Sequence, residues 1–377
     1  MMIIRRVARS IAAALPAFCI FAIAPSDYAV AASSDAVIVN RGVVELETGR
    51  SNELSVQMAE EIADIIDDGV TRRVVPVVGK GPLRNLADLK YLRGLDLAIV
   101  PADALDQVRE QRLMPGIEAS LSYIAKLYNE EFHLLARRDI AKFSDLSGQT
   151  VNVDVQNSST ALTATRLFQL LNVQVKLATD EQPVALEKLR SGKIAALAVI
   201  AAKPSPFLQN LKAGGSLHLL MLPLPQAIMG AYAPSQLTSS DYPDLVQPDR
   251  PVDTIAVGRV LMAADLRGVP ERYRNISNFV DALFTRFEDL RSEGHHPKWQ
   301  EVNIAAEVSG WGRHPAAQQW LQRNAQVANA ASPDALRALF SRFVDERRQA
   351  SGGGPMSAAE KDTLFQQFRA WQHGQAQ

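Results

Sequence analysis

The chain has 377 residues, 40 Lys+Arg against 41 Asp+Glu, and 47% of its residues are apolar. A formal net charge of −1 gives no electrostatic footprint for gripping a polyanion, which argues against nucleic-acid binding, and the apolar content is too high for a disordered chain. One cysteine excludes an internal disulfide or a multi-thiolate metal site.

The chain opens with Arg5, Arg6 and Arg9, followed by an uncharged run from Ile11 to Ala24 and then by Ala29-Val30-Ala31-Ala32. A basic start, a short apolar centre and small residues at the end predict a secretory signal peptide over 1–32, cut after Ala31 or Ala32. The apolar run is shorter than the ~20 residues that span a bilayer, though retention as an N-terminal anchor is the alternative. Cys19 lies inside this segment, and Phe18 before it argues against a lipoprotein site. Removal leaves 345 residues without cysteine, expected to be periplasmic and long enough to bury a core without disulfides.

Beyond it, β-rich runs alternate with helical spacing. Val37 to Leu46 reads as a strand, Asn52 to Asp67 as a helix with Leu54, Met58, Ile62 and Ile65 on one face, Arg73 to Val78 as a strand and Leu83 to Tyr91 as a helix. Leu95 to Val100 reads as a buried strand, and two extended runs follow, Ala119 to Tyr128 and Glu131 to Ala136. A second round runs through Val151–Val155, the helix Ser159–Leu171, Val173–Leu177, the helix Gln182–Arg190, Ile194–Ile200 and Leu217–Leu222. Such alternation predicts an α/β fold with mostly parallel sheets, in two similar lobes: 33–132 plus 232–296 as lobe 1, and 133–231 as lobe 2. Crossings between them are expected near Glu131–Ala136 and near Ala227–Pro234, with Val252–Ala263 returning to lobe 1. The stripe Ile276, Phe279, Val280, Leu283, Phe287 and Leu290 predicts a core-facing helix. Residues 297–377 read as a helical C-terminal extension interrupted by Pro297, Pro315 and Pro333, with helix starts at Ser332-Pro333 and at Ser357/Glu360; it either packs on the lobes or docks a partner.

No catalytic constellation stands out. His-Glu-x-x-His and Gly-x-Ser-x-Gly are absent, His295-His296-Pro297 reads as a solvated turn, and Gly79-Lys80-Gly81 lacks the Ser or Thr of a phosphate loop. The chain is therefore read as a non-enzyme without cofactor or metal. What recurs is a set of polar turns at the carboxyl ends of predicted strands, where open α/β sheets take ligands and where helix starts favour anions. They supply the candidate ligand residues Thr48, Gly49, Arg50, Ser51, Asn52, Lys80, Gly81, Asp103, Asn157, Ser158, Ser159, Thr160 and Lys203. Plain helix capping by Thr48, Ser51, Asn52 and Ser159 is the alternative for each taken singly.

Segments from Val37 to Gln300 resemble solute-binding proteins of the TAXI type, which serve TRAP transporters. The resemblance rests on Glu47-Thr48-Gly49, Gly79-Lys80-Gly81-Pro82, the run Leu95 to Asp103, Phe132 to Arg137, Phe143 to Val151, Leu189 to Ala196 and Val252 to Val257, in that order and spacing. It implies the two-lobed periplasmic-binding-protein fold, hinged around a small solute of the dicarboxylate or amino acid class that is handed to permease subunits, from a monomeric binding protein. Its ligand loops map onto Thr48, Gly49, Lys80, Gly81, Asp103, Ser158, Ser159 and Thr160. The sequence departs from the family pattern at Glu47, where glycine is usual, at Ser55-Val56, where an aromatic pair is usual, and at Lys80-Gly81-Pro82. Glu47 would oppose an anion unless Arg50 or Lys80 pairs with it. These departures keep open a second reading, a periplasmic adaptor or sensory protein of the same fold acting through protein contacts. An extracytoplasmic hydrolase has no motif support.

Overall fold

The computed structural model describes residues 41–212, 214–330 and Ser357. The expected signal peptide, and the helices expected beyond Ser332, fall outside these residues, Ser357 apart. No described helix is long and apolar enough to cross a membrane.

Two rounds of alternating elements are present. The first is β1 (Val43–Thr48), α1 (Leu54–Ile66), β2 (Arg73–Val78), α2 (Pro82–Tyr91), β3 (Leu97–Pro101) and α3 (Ala102–Glu110). A long strand follows, β4 (Leu121–Arg137). The second round is β5 (Thr150–Asn152), α4 (Ser159–Leu170), β6 (Lys176–Ala178), α5 (Gln182–Arg190), β7 (Ala196–Ala201), β8 (Leu217–Leu219) and β9 (Ala233–Leu237). Then come β10 (Val252–Ala264), α6 (Pro270–Thr285) and α7 (Pro315–Ala330).

The strands form one continuous sheet in the order β2-β1-β3-β10-β4-β7-β5-β6, with β8 on β4 and β9 on β10. Within each round pairing is parallel: β1 with β2 and β3, β5 with β6 and β7. The chain passes between rounds on β4 and β10, which pair antiparallel with each other and with their neighbours. The α/β architecture is thus as the alternation predicts. Two expectations are corrected. The runs 119–128 and 131–136 are one 17-residue strand, because Asn129 and Glu130 keep the pairing with β10. The second passage is β10, not 227–234; a single-turn helix over Gln226–Met229 buries Ile228 and Tyr232 with the second round.

Both passages obey the two-residue period of a strand, so each feeds apolar residues to both faces of the sheet. Along β10, Val260, Met262 and Ala264 enter the cluster beneath α2 and α3, while Leu261 and Ala263 enter the cluster beneath α1 and α6. Nearer its start, Ile255 and Val257 join the α4 cluster and Val252 the α5 cluster. Each round therefore has a core on both faces of its part of the sheet. Gly258 lies where the β10–β4 register shifts, at the passage itself.

The segment after α6 packs on the first round. Trp299, Val302 and Ala317 join the α1/α6 cluster and Trp311 the α2/α3 cluster. Pro315 opens α7 rather than interrupting a helix, as expected of a residue whose missing N–H costs nothing at the first helical position.

Candidate functional site

The turns at the carboxyl ends of β1, β2, β3, β5 and β7 face one another across a seam between the two rounds. Gly81, at φ +123°, brings its backbone against the Asn157 carbonyl: a Cβ there would stand 1.8 Å from that oxygen. Only glycine allows this approach. Below it, the Ser159 hydroxyl donates to Glu53 Oε2 at 2.9 Å. Arg259, on β10 and fully buried, donates to Ser159 Oγ at 2.9 Å, pairs with Glu53 at 3.3 Å, and pairs through Nε with Glu130 of β4. A third set of cross-seam contacts joins Asp103 Oδ2 to the Thr163 hydroxyl at 2.7 Å and the Tyr232 hydroxyl at 3.1 Å. Arg166 of α4 pairs with Glu110 of α3 at 3.0 Å.

Burial dominates the electrostatics. It pushes the carboxyls of Asp103 and Glu130 up, against the pull of Arg259 on both. Arg259 stays charged, because Glu130 and Glu53 hold its proton against desolvation. Glu53 Oε1, Asp103 Oδ1 and the Tyr128 hydroxyl are buried with no partner among the described residues.

Two openings flank this buried seam. On one side a groove of about 980 Å3 is lined by Lys80, Pro82 and Arg84 at the start of α2, Gln107 to Gln111 at the end of α3, and Asn157 to Leu170 along α4. Arg84 is paired with Asp88 and Arg166 with Glu110, while Lys80 has no ion pair among the described residues. Toward β4, a cavity of about 540 Å3 is lined by Ser51 to Leu54, Glu60, Glu130, Ala202, Phe207 and His296 among others.

The expected ligand residues divide accordingly. Lys80, Asn157 and Ser158 line the larger groove, Ser51 and Asn52 the smaller cavity, and Asp103, Ser159 and Gly81 lie in the seam between. Others meet local needs. The Thr48 hydroxyl donates to the Gly49 and Val77 carbonyls, Gly49 N–H is held by Ser55 Oγ, and Thr160 Oγ1 takes the Ile200 N–H. The cap of α4 is Ser158, which accepts the Ala161 N–H, and not Ser159, which the capping alternative named. Lys203 Nζ reaches the Gln236 carbonyl, and Arg50 acts at a distance on Asp154. Glu47 is met by neither Arg50 nor Lys80. It is buried and faces Asp88 and Arg84 of α2, because strand alternation turns it to the α2 side of the sheet. The start of α1 is no bare anion site, since Glu53 stands at its N-cap.

Sequence reasoning did not single out Glu53, Glu130 and Arg259. Arg259 and Glu130 were visible as charges inside otherwise apolar strands, and a charge in such a run demands a buried partner.

A model of the NMT1-like family matches residues 54–322. Among solved structures, the chain is similar to XAC2383 from Xanthomonas citri bound to ATP, with 11% identity, TM-score 0.43, and coverage of 75% of this chain and 95% of that one. It is also similar to a TctC solute-binding protein from Polaromonas (15% identity, TM-score 0.39, 65% and 88% covered) and to an ABC uptake transporter substrate-binding protein from Streptococcus pneumoniae with bound histidine (14%, 0.41, 71% and 95%). These likenesses concern the fold. No curated protein matches the sequence.

Proposed function

The chain belongs to the NMT1-like family, and on that premise we propose that it is an extracytoplasmic solute-binding protein whose two rounds of structure act as hinged lobes around a small solute. The observation that carries this reading is the groove of about 980 Å3, walled by α2 and α3 from one round and by α4 from the other. Separating the rounds about β4 and β10 would open it, and closure would bury what it holds. We keep the dicarboxylate or amino acid class for the solute, and transfer to TRAP-type permease subunits, as the finer part of the proposal. Lys80, without an ion pair among the described residues, stands where the α4 start leaves backbone N–H groups toward an anion.

Titration calorimetry with succinate, glutamate and aspartate tests this. A ligand of this class gives heat with the purified chain, and Lys80→Ala weakens it by about tenfold, the loss of one charge-assisted contact. No heat from any of the three, or full affinity in Lys80→Ala, sinks the anionic reading.

A further inference from the structure

We propose that the cavity of about 540 Å3 beside β4 is a second binding site, selective for an organic ammonium ion, in the same seam as the groove but of opposite charge. The proposal does not rest on the groove's being an anion site. Its lining contains three carboxylates, Glu53, Glu60 and Glu130, and neither lysine nor arginine. His296 is the one histidine of the lining. Its Nδ1 accepts the Lys298 N–H at 3.1 Å, and burial lowers its basicity, so it enters the cavity neutral.

One guanidinium stands behind the lining. Arg259 is the guanidinium that both Glu53 and Glu130 share. Lys298, the next buried cation, is held by Glu131 at 3.1 Å and Glu301 at 2.8 Å. Glu53 and Glu130 thus share one guanidinium, with burial pushing the Glu130 carboxyl up, and Glu60 adds an exposed carboxylate at the rim. Glu53 lines the cavity, and its Oε1 is buried without a partner among the described residues. An ammonium group brings a positive charge to this acidic lining and an N–H donor for Glu53.

The rest of the wall selects the kind of cation. Leu54, Val56, Val199, Pro204, Pro206 and Phe207 form an apolar side against which methylene groups pack. No group of three or more His, Cys, Asp or Glu suited to a metal ion occurs among the described residues. The geometry therefore suits an alkylammonium rather than a bare metal ion.

Putrescine is the probe, with the uncharged isostere 1,4-butanediol and succinate titrated separately against the full chain at pH 7.5. Putrescine binds, 1,4-butanediol does not, and saturating succinate leaves putrescine able to bind. Glu53→Gln weakens putrescine by about tenfold or more, as removal of one partner of a desolvated charge pair does. Glu60→Gln, an exposed change that leaves the seam intact, weakens it by about twofold to fivefold. Glu118→Gln, an exposed change outside the cavity lining, leaves it unchanged. The proposal is overturned if putrescine gives no heat, if butanediol binds as well, or if neither Glu53→Gln nor Glu60→Gln lowers the affinity. Putrescine binding with no succinate binding would remove the groove reading and leave this one standing.

Discussion

At the scale of single residues, the seam separates polar groups with local duties from those left over. Ser158 satisfies a backbone N–H of its own helix start, while Thr48 and Thr160 bond backbone groups of the neighbouring strands β2 and β7. Glu47 has the opposite character. It is buried, its Oε2 has no partner, and burial, with Asp88 adding to it, raises its carboxyl from 4.5 to about 7. A carboxyl raised in the folded state stabilises most when protonated, so its contribution is complete below about pH 4.5 and is lost as pH rises through 7. Glu47→Gln removes that dependence. Urea unfolding is expected to give the variant the same stability as the parent at pH 4 and about 2–3 kcal/mol more at pH 8. Equal stabilities at both pH values would show that Glu47 is solvated.

At the scale of elements, the segment after α6 is joined to the first round by particular contacts. Trp299 is wholly buried, donates from Nε1 to Glu61 of α1 at 2.6 Å, and meets the Phe287 ring edge-on. The N–H of Tyr123 donates to the Gly312 carbonyl, the N–H of His314 returns a bond to the Tyr123 carbonyl, and the Arg313 guanidinium lies 4.6 Å from the Tyr123 ring centre. Residues 297–330 therefore act as a strap across the first round, not as a free arm. Trp299→Ala opens a cavity and removes one of the hydrogen bonds that Glu61 accepts, and about 3–5 kcal/mol of stability is expected to be lost in denaturant unfolding. A loss under 1 kcal/mol would mean that the strap contributes little to the core.

At the scale of the whole molecule, two rounds of βαβ structure share one sheet through β4 and β10, and the same passages carry Glu130 and Arg259 into the seam. At Gly81 and Asn157 the rounds approach so closely that no Cβ fits. Gly81→Ala holds the seam apart at this point without touching either core. Small-angle scattering is expected to show a larger radius of gyration than for the parent, and the affinity for a groove ligand is expected to fall by about tenfold, from the cost of holding the rounds together. Unchanged scattering and affinity would place the mobile region elsewhere.

Much of this organisation was legible in the amino-acid order, because strand and helix periods depend on near neighbours. The alternation of elements, the amphipathic faces of α1 and α6, and the polar turns after β1, β2, β3, β5 and β7 could all be read along the chain. What the seam contains could not. Arg259 meets Ser159 across 100 positions and Glu130 across 129, and those meetings depend on β10 and β4 running side by side. Nor could the order of residues say which hydroxyls face the seam and which close a local turn, since capping and ligand binding use the same side chains. The balance of charge in each opening was decided by tertiary structure, because burial and distance set it, and neither is a property of neighbouring residues.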